Sequence, residues 1–336
     1  MKAEVTLRDL SKLAGVSVNT VSRALNNREG VNPQTRERIV KLAMEHSYRP
    51  NIMARTMRGV QSHMIGTLIG DITDHFFVQL LSGVEEEIGR ELMPIIIGNT
   101  GEDLRKQTES LNLLLSYGCK SIIITPVSAD TSFIATLRDA GVAFVIADRV
   151  GEGMEGCNQV SINNRRDAYR AVEYLIQCGH RRIALLNQRS EVATETNRTL
   201  GYREAMAANG LPVHEPFVVQ TRSRSTVARD MRALLEGPER PTALFIAKDT
   251  LALNAVSTIN GFGLSIPGDL SVFIYGSPEW SQSFQPRFTC MERAVKDIGR
   301  TSARILIGHI KGNATAAPVN IQFDSNLVVR DSVRFI

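Results

Sequence analysis

Cysteine is scarce and scattered along this chain. Cys119, Cys157, Cys178 and Cys290 form no Cys-x-x-Cys pair and have no histidine at metal-ligand spacing. That spacing argues against a disulfide framework and a zinc site, and the thiols read as reduced, mostly buried side chains of a cytoplasmic protein. The N-terminus lacks the apolar segment of a secretory signal, and no apolar run approaches the roughly 20 residues that span a bilayer. Catalytic constellations are missing too: no paired carboxylates stand out. Ser277, His180 and Asp249 have the residue types of a triad, but no nucleophile elbow surrounds the serine. Gly151-Glu152-Gly153 is half of a dinucleotide fingerprint without the third glycine that opens a helix, and reads as a surface turn. The expectation is a protein that is not an enzyme and holds no cofactor or metal.

What is present is size and an uneven distribution of charge. The 336 residues suffice for a small module plus a two-lobed body, and 43% hydrophobic with 22% charged residues is ordinary for a globular chain. The formal net charge is +4. Residues 1–60 hold 11 Lys/Arg against 5 Asp/Glu, so this segment carries +6 and the remainder −2. Positive charge concentrated in one short stretch is what phosphate recognition requires.

That basic stretch reads as three short helices. Thr6 can cap a first helix whose apolar positions are Leu7, Leu10, Leu13 and Ala14, and Gly15 ends it. Ser17 caps a second helix that turns Val21, Ala24 and Leu25 inward. Asn32-Pro33 opens a third with Ile39, Leu42 and Ala43 as its stripe. A tight turn between the first two makes a helix-turn-helix, whose second helix enters the DNA major groove. The side chains at its start suit base edges: Asn19 for adenine or another base edge, Arg23 for guanine, Val18 for a thymine methyl. Ser17, Thr20 and Ser22 are short hydroxyls suited to phosphate.

The string from Thr6 through Asn26 (TLRDLSKLAGVSVNTVSRALN), continued by Val31, Thr35-Arg36 and Tyr48-Arg49-Pro50-Asn51, closely resembles the headpiece of the lactose-repressor (LacI/GalR) family. The resemblance extends along the body. It implies a hinge helix at 52–58 that folds on operator DNA, because a helix this short is not stable alone. Asn51, Ala54 and Met57 then join Thr6, Ser17, Val18, Asn19, Thr20, Ser22, Arg23 and Asn26 as DNA-contacting residues. Met57 stands where the family usually has a leucine that wedges into the minor groove; methionine is apolar and flexible enough for that role. The alternative is that Met57 belongs only to the linker.

From Met64 onward the pattern alternates between buried strands and amphipathic helices. Strands are expected at 65–69, 93–97, 121–125 and 143–146, with helices at 77–91 and 103–117. A second set of strands follows at 182–186, 217–220, 243–247 and 270–275, with helices at 165–177, 200–209, 225–236 and 250–260. The segment 319–329 reads as one strand. Such alternation implies parallel sheets. The fold class is therefore an all-α helix-turn-helix headpiece plus an α/β, periplasmic-binding-protein-like core of two lobes with parallel sheets. The expected divisions are a headpiece at 1–48, a hinge and linker at 49–62, and the core at 63–336. Within the core, one lobe takes 63–161 and 293–321, and the other 162–292 and 322–336.

The resemblance also implies a small-molecule effector between the lobes, and maps it onto Asp71, Phe76, Phe77, Asp148, Asn163, Thr194, Arg198, Arg222 and Lys248. Two departures from the family matter. Thr221-Arg222 stands where an aromatic residue is usual, and Ile274-Tyr275-Gly276-Ser277 stands where Gly-Tyr-Asp-Asp is usual. Loss of an acid, with Lys248 and Arg222 gained, points to an anionic effector such as a sugar acid, a sugar phosphate or a small carboxylate. The competing reading has Arg222 in solvent and Lys248 paired with Asp249 or Asp71. The expectation is a ligand-responsive transcriptional repressor of carbohydrate or sugar-acid catabolism genes. It would bind palindromic double-stranded operator DNA as a homodimer in the cytoplasm, with no membrane partner. The alternatives are a solute receptor that does not regulate DNA, or a regulator of a neutral sugar.

Overall fold

Thr6 starts the chain's first helix by a reciprocal cap. Its hydroxyl accepts from the Asp9 amide, and the Asp9 carboxylate accepts from the Thr6 amide at 3.0 Å. The computed structural model describes residues 5–25, 29–48, 64–189, 192–237, 239–313, 315 and 317–336, and the chain separates into two compact units, Met1–Ser62 and His63–Ile336.

In the first unit, α1 (Leu7–Ala14) ends at Gly15, whose left-handed backbone (φ 62°) lets α2 (Val18–Leu25) follow after a short turn. Pro33 opens α3 (Pro33–Glu45) behind an Asn32 cap. Leu10, Ala14, Val21, Ala24, Ile39 and Ala43 form the buried core. Leu13, expected to face inward, is 51% exposed. At about 100° per residue, Leu7, Leu10 and Ala14 cluster on one face of the helix and Leu13 lies well off it.

The second unit is built from β1 (Ile65–Ile69), α4 (His75–Gly89), β2 (Ile95–Asn99), α5 (Leu104–Ser116), β3 (Ser121–Ile124), α6 (Ser132–Asp139), β4 (Ala143–Ala147) and β5 (Asn158–Ile162). There follow α7 (Asn164–Gln177), β6 (Ile183–Gln188), α8 (Ala193–Ala208), β7 (Val218–Thr221), α9 (Val227–Glu236), β8 (Ala243–Ile246), α10 (Ala252–Gly261), β9 (Ser271–Tyr275), β10 (Thr289–Glu292), α11 (Val295–Ile310), β11 (Asn320–Phe323) and β12 (Asn326–Val328). They make two six-stranded sheets, ordered β11-β5-β4-β3-β1-β2 and β12-β10-β9-β8-β6-β7. Every pairing is parallel except that of β12 with β10. Apolar clusters lie on both faces of each sheet, which is why central strands such as β1, β3 and β9 are buried at every position.

The stretch read as one strand at 319–329 is two strands in different sheets. Asp324 and Ser325 carry the chain from one lobe to the other between them. The same crossing happens after β5 at Asn163 and after β10 at Arg293-Ala294, so three neighbouring chain segments join the lobes. Where α4 meets α11, Gly83 and Gly299 allow backbone-to-backbone approach: a Cβ at Gly299 would sit 2.0 Å from the Leu80 carbonyl oxygen, and one at Gly83 2.1 Å from that of Lys296.

Candidate DNA-reading face and effector cleft

On α2 the buried residues are Val21 and Ala24, so Val18, Asn19 and Arg23 occupy its exposed side. Ser17 is used locally: its Oγ accepts from the Thr20 amide at 3.1 Å and lies 2.8 Å from Thr20 Oγ1, an N-cap that fixes the start of the helix. Arg23 donates through Nε to the Glu29 carbonyl at 3.1 Å, which ties the side chain to the loop after α2. Arg38 of α3 donates to the Ala14 carbonyl at 2.9 Å, holding the end of α1 against α3. Thr6 is exposed and Ser22 half-buried. Asn26, Asn51, Ala54 and Met57, with the expected hinge at 52–58, lie outside the described residues.

In the core, a cleft opens between the lobes at the C-terminal ends of the strands. From the first lobe it is lined by Asp74, Phe76 and Phe77 at the start of α4 and by Asp148 and Arg149 after β4. From the second come Thr194, Glu195 and Arg198 of α8, with Lys248 and Asp249 after β8, and Arg293 reaches in from a crossover. Asp74 caps α4 by accepting from the Phe76 amide at 3.0 Å. This places the two phenylalanines on the first helical turn, their rings edge-to-face at 5.2 Å.

The charges are balanced in number, and each of the four cations has a carboxylate within 4.0 Å. Arg149 grips Glu102 with both terminal nitrogens at 2.6 Å, and its guanidinium lies 5.4 Å from the Phe77 ring centre. Lys248 pairs with Glu195 at 3.4 Å, and Arg293 with Asp249 at 2.6 Å. Arg198 stacks 4.5 Å from the Tyr275 ring centre, donating to Asn164 at 2.8 Å and to the Ala247 carbonyl at 2.9 Å. Tyr275 donates to the same Asn164 oxygen at 3.1 Å, and the Asp167 carboxylate beside it accepts from the Ser325 amide. The cleft arginine is thereby linked to two of the three crossovers.

Burial raises the Asp148 carboxyl, although Arg149, Arg198 and Arg293 pull against it. Burial and then the charge of Asp249 raise Asp74. Glu195 goes the other way: burial alone would raise it, but Arg198, Lys248 and Arg149 together bring it down to about 2. One kind of carboxyl in this cleft is pushed toward its neutral form while the other is held ionised.

Residues 6–51 match the family described as bacterial regulatory proteins, lacI family, and residues 172–333 match the periplasmic binding protein-like domain. The HTH-type transcriptional repressor PurR of Vibrio campbellii is 30% identical over 98% of both chains. The chain belongs to the lacI family of bacterial regulatory proteins. A second relative, the probable HTH-type transcriptional repressor ExuR of Bacillus subtilis, is 31% identical over 98% of both chains. Among solved structures, the lac repressor dimer bound to operator and the anti-inducer ONPF superposes with a TM-score of 0.85 at 25% identity, covering 99% of this chain and 100% of that one. This is a family of DNA-binding transcriptional repressors rather than enzymes.

Of the effector residues expected for this lacI-family chain, the fold brings Phe76, Phe77, Asp148, Thr194, Arg198 and Lys248 to the cleft. Asp71 lies outside the lining and accepts from the Thr73 amide and hydroxyl at 2.9 and 2.8 Å. Asn163 caps α7 by accepting from the Arg166 amide, and its neighbour Asn164 is the buried one. Arg222 is exposed beyond the end of β7 and outside the lining. Arg149 and Asp249, the second members of the Asp148-Arg149 and Lys248-Asp249 pairs, also line the cleft, and Asp74, Glu195 and Arg293 do so without having been singled out. Asp249 and Arg149 adjoin chosen residues, whereas nothing local marks Arg293. His180 belongs to the C-terminal framework, its ring nitrogens 2.9 Å from Thr242 Oγ1 and 3.1 Å from the Arg334 carbonyl. All four cysteines are free and buried. Among the described residues, no helix is long and apolar enough to cross a membrane.

Proposed function

We propose that this chain is a cytoplasmic repressor of carbohydrate or sugar-acid catabolism genes that binds a palindromic operator as a homodimer and responds to an anionic small molecule in the cleft between its lobes. The headpiece at 1–48 reads each half-site, with Val18, Asn19 and Arg23 toward base edges and Thr6, Ser17, Thr20 and Ser22 toward phosphates. The hinge residues Asn51, Ala54 and Met57 complete the reading on paired half-sites. The observation that carries the effector class is the convergence of Arg149, Arg198, Lys248 and Arg293 on one small cleft. Of the four carboxyls facing them, Asp74 and Asp148 are driven toward neutrality. An anion entering there meets more positive charge than the residue count suggests.

The effector acts by differential affinity for two lobe arrangements, and the coupling to operator binding is reciprocal. Calorimetry with gluconate, glucuronate and glucose 6-phosphate against glucose tests the anionic class, and operator gel shifts with and without the binding compound test the coupling. Binding of glucose alone would overturn the class. A second reading, a neutral sugar, draws on the pairing of Arg149 with Glu102 and Lys248 with Glu195, which leaves both cations already compensated.

A further inference from the structure

Arg293 stands apart from the other cleft cations in three ways. It lies between β10 and α11, in one of the crossovers, so it belongs to the joint between the lobes. Its side chain is 8% exposed and held between a ring from each lobe, 4.9 Å from the centre of Phe76 and 5.5 Å from that of Tyr275. One terminal nitrogen donates to Asp249 at 2.6 Å, yet its Nε, also buried, has no hydrogen-bond acceptor among the described residues. A buried donor left unpaired is costly, more so when it carries charge, so an acceptor that reaches it recovers that energy.

Gly276 explains how Arg293 is held. Its backbone is left-handed (φ 113°), and a Cβ there would lie 2.6 Å from Asp249 Oδ2. The Asp249 carboxylate thus occupies the space that any side chain at 276 would need, and from there it binds Arg293. Gly276 stands where the family usually has an acid and leaves that space to Asp249, which lines the cleft and binds Arg293 through a terminal nitrogen, while the buried Nε–H stays without an acceptor.

We infer that Arg293 is the residue that reads the effector's anionic group, and that this group is a carboxylate, one oxygen of which accepts from Nε–H. The inference rests on the anionic reading of the cleft. Arg149 is committed to Glu102, Lys248 to Glu195, and Arg198 to Asn164 and a backbone carbonyl. One guanidinium, its Nε buried without an acceptor and one terminal nitrogen already on Asp249, suits a singly charged carboxylate. A phosphate, with three acceptor oxygens and up to two charges, calls for several donors at once. Because Phe76 and Tyr275 come from different lobes, a carboxylate at Nε is bound where their relative position is set, and it acts as a specificity determinant at the joint.

The test uses the purified full-length chain with gluconate, glucuronate, glucose 6-phosphate and glucose as titrants. A carboxylate binds the parent and the phosphosugar binds more weakly. Arg293→Lys keeps the charge but removes the guanidinium fork, and the carboxylate affinity falls roughly 10- to 100-fold, the equivalent of one charged hydrogen bond. Arg293→Gln strands Asp249, so the double variant Asp249→Asn/Arg293→Gln, its folding checked by circular dichroism, is measured beside it and also loses the carboxylate. If none of the anions binds, the anionic reading fails and this inference falls with it. If a carboxylate binds the parent and binds all three variants equally well, Arg293 alone is ruled out. If glucose 6-phosphate binds as tightly as the acids, the carboxylate assignment is wrong.

Discussion

Replacing Gly299 with alanine puts a methyl group where two helix backbones already touch. The added Cβ would sit 2.0 Å from the Leu80 carbonyl oxygen and 3.0 Å from the Val84 amide, and ordinary contact begins at 3.4 Å. The difference, 3.4 less 2.0, means α4 and α11 must part by about 1.4 Å at their crossing. Neither obstructing atom is the end of a flexible side chain, so relief has to come from moving a helix packed through Leu80, Val84, Ile298 and Ala303. Overpacking commonly costs about 1–3 kcal/mol, and a rigid backbone contact belongs at the upper end. Alanine regains about 1 kcal/mol of helix propensity over glycine. A net loss of about 2 kcal/mol remains, which for a unit of this size lowers the thermal midpoint by roughly 4–8 °C. Gly89, at the end of the same α4, is the internal control. Its added Cβ meets only the Glu85 side chain, at 3.4 Å, so Gly89→Ala is neutral or stabilising. Thermal and urea unfolding of both variants decides the matter. Equal midpoints for Gly299→Ala and Gly89→Ala would refute the close-contact argument.

Three further outcomes follow from the same geometry. Arg23→Ala relaxes base choice at one operator position by about 1–3 kcal/mol, read by gel shifts on probes varied one base pair at a time; unchanged specificity would remove Arg23 from the reading set. Asp148→Asn stabilises the chain at pH 7, because the buried carboxyl holds its proton to higher pH than the unfolded chain does, so its ionisation costs stability as pH rises through the folded value. The advantage shrinks as pH falls toward the ordinary aspartate value of 3.8, and urea titrations at several pH values would show a constant difference if this were wrong. Arg222→Ala leaves effector affinity within about two-fold, as expected of an exposed surface charge; a ten-fold loss by calorimetry would return that residue to the site.

Much of the architecture was legible because central strands are short apolar runs. The strand expected at 65–69 is β1 itself, and those expected at 121–125 and 243–247 differ from β3 and β8 by one residue. Peripheral strands hid. Asn158–Ile162 and Thr289–Glu292 mix polar with apolar residues, and 319–329 looked continuous because no glycine or proline marks the crossing at Asp324-Ser325. At the cleft, Phe76, Asp148 and Arg198 were found through motifs next to strands and helix starts. Arg293 was not, because its importance comes from Phe76, Asp249 and Tyr275, more than 200, 44 and 18 residues away along the chain. Leu13 shows the opposite error: an apolar residue in a helix only eight residues long need not face the core.

The three crossings between the lobes restrict the kinds of mechanical freedom the core can have. A single tether would let one lobe swivel in any direction, whereas three strands side by side resist twist and leave opening and closing as the soft mode. A protease cut at any one of Asn163, Arg293 or Asp324 would leave the lobes joined by the other two, so nicked protein should still migrate as one body until denatured. Neither lobe is a continuous stretch of sequence, and no single truncation can release one intact. For anyone transplanting this sensor onto another headpiece, the two lobes are therefore one indivisible part.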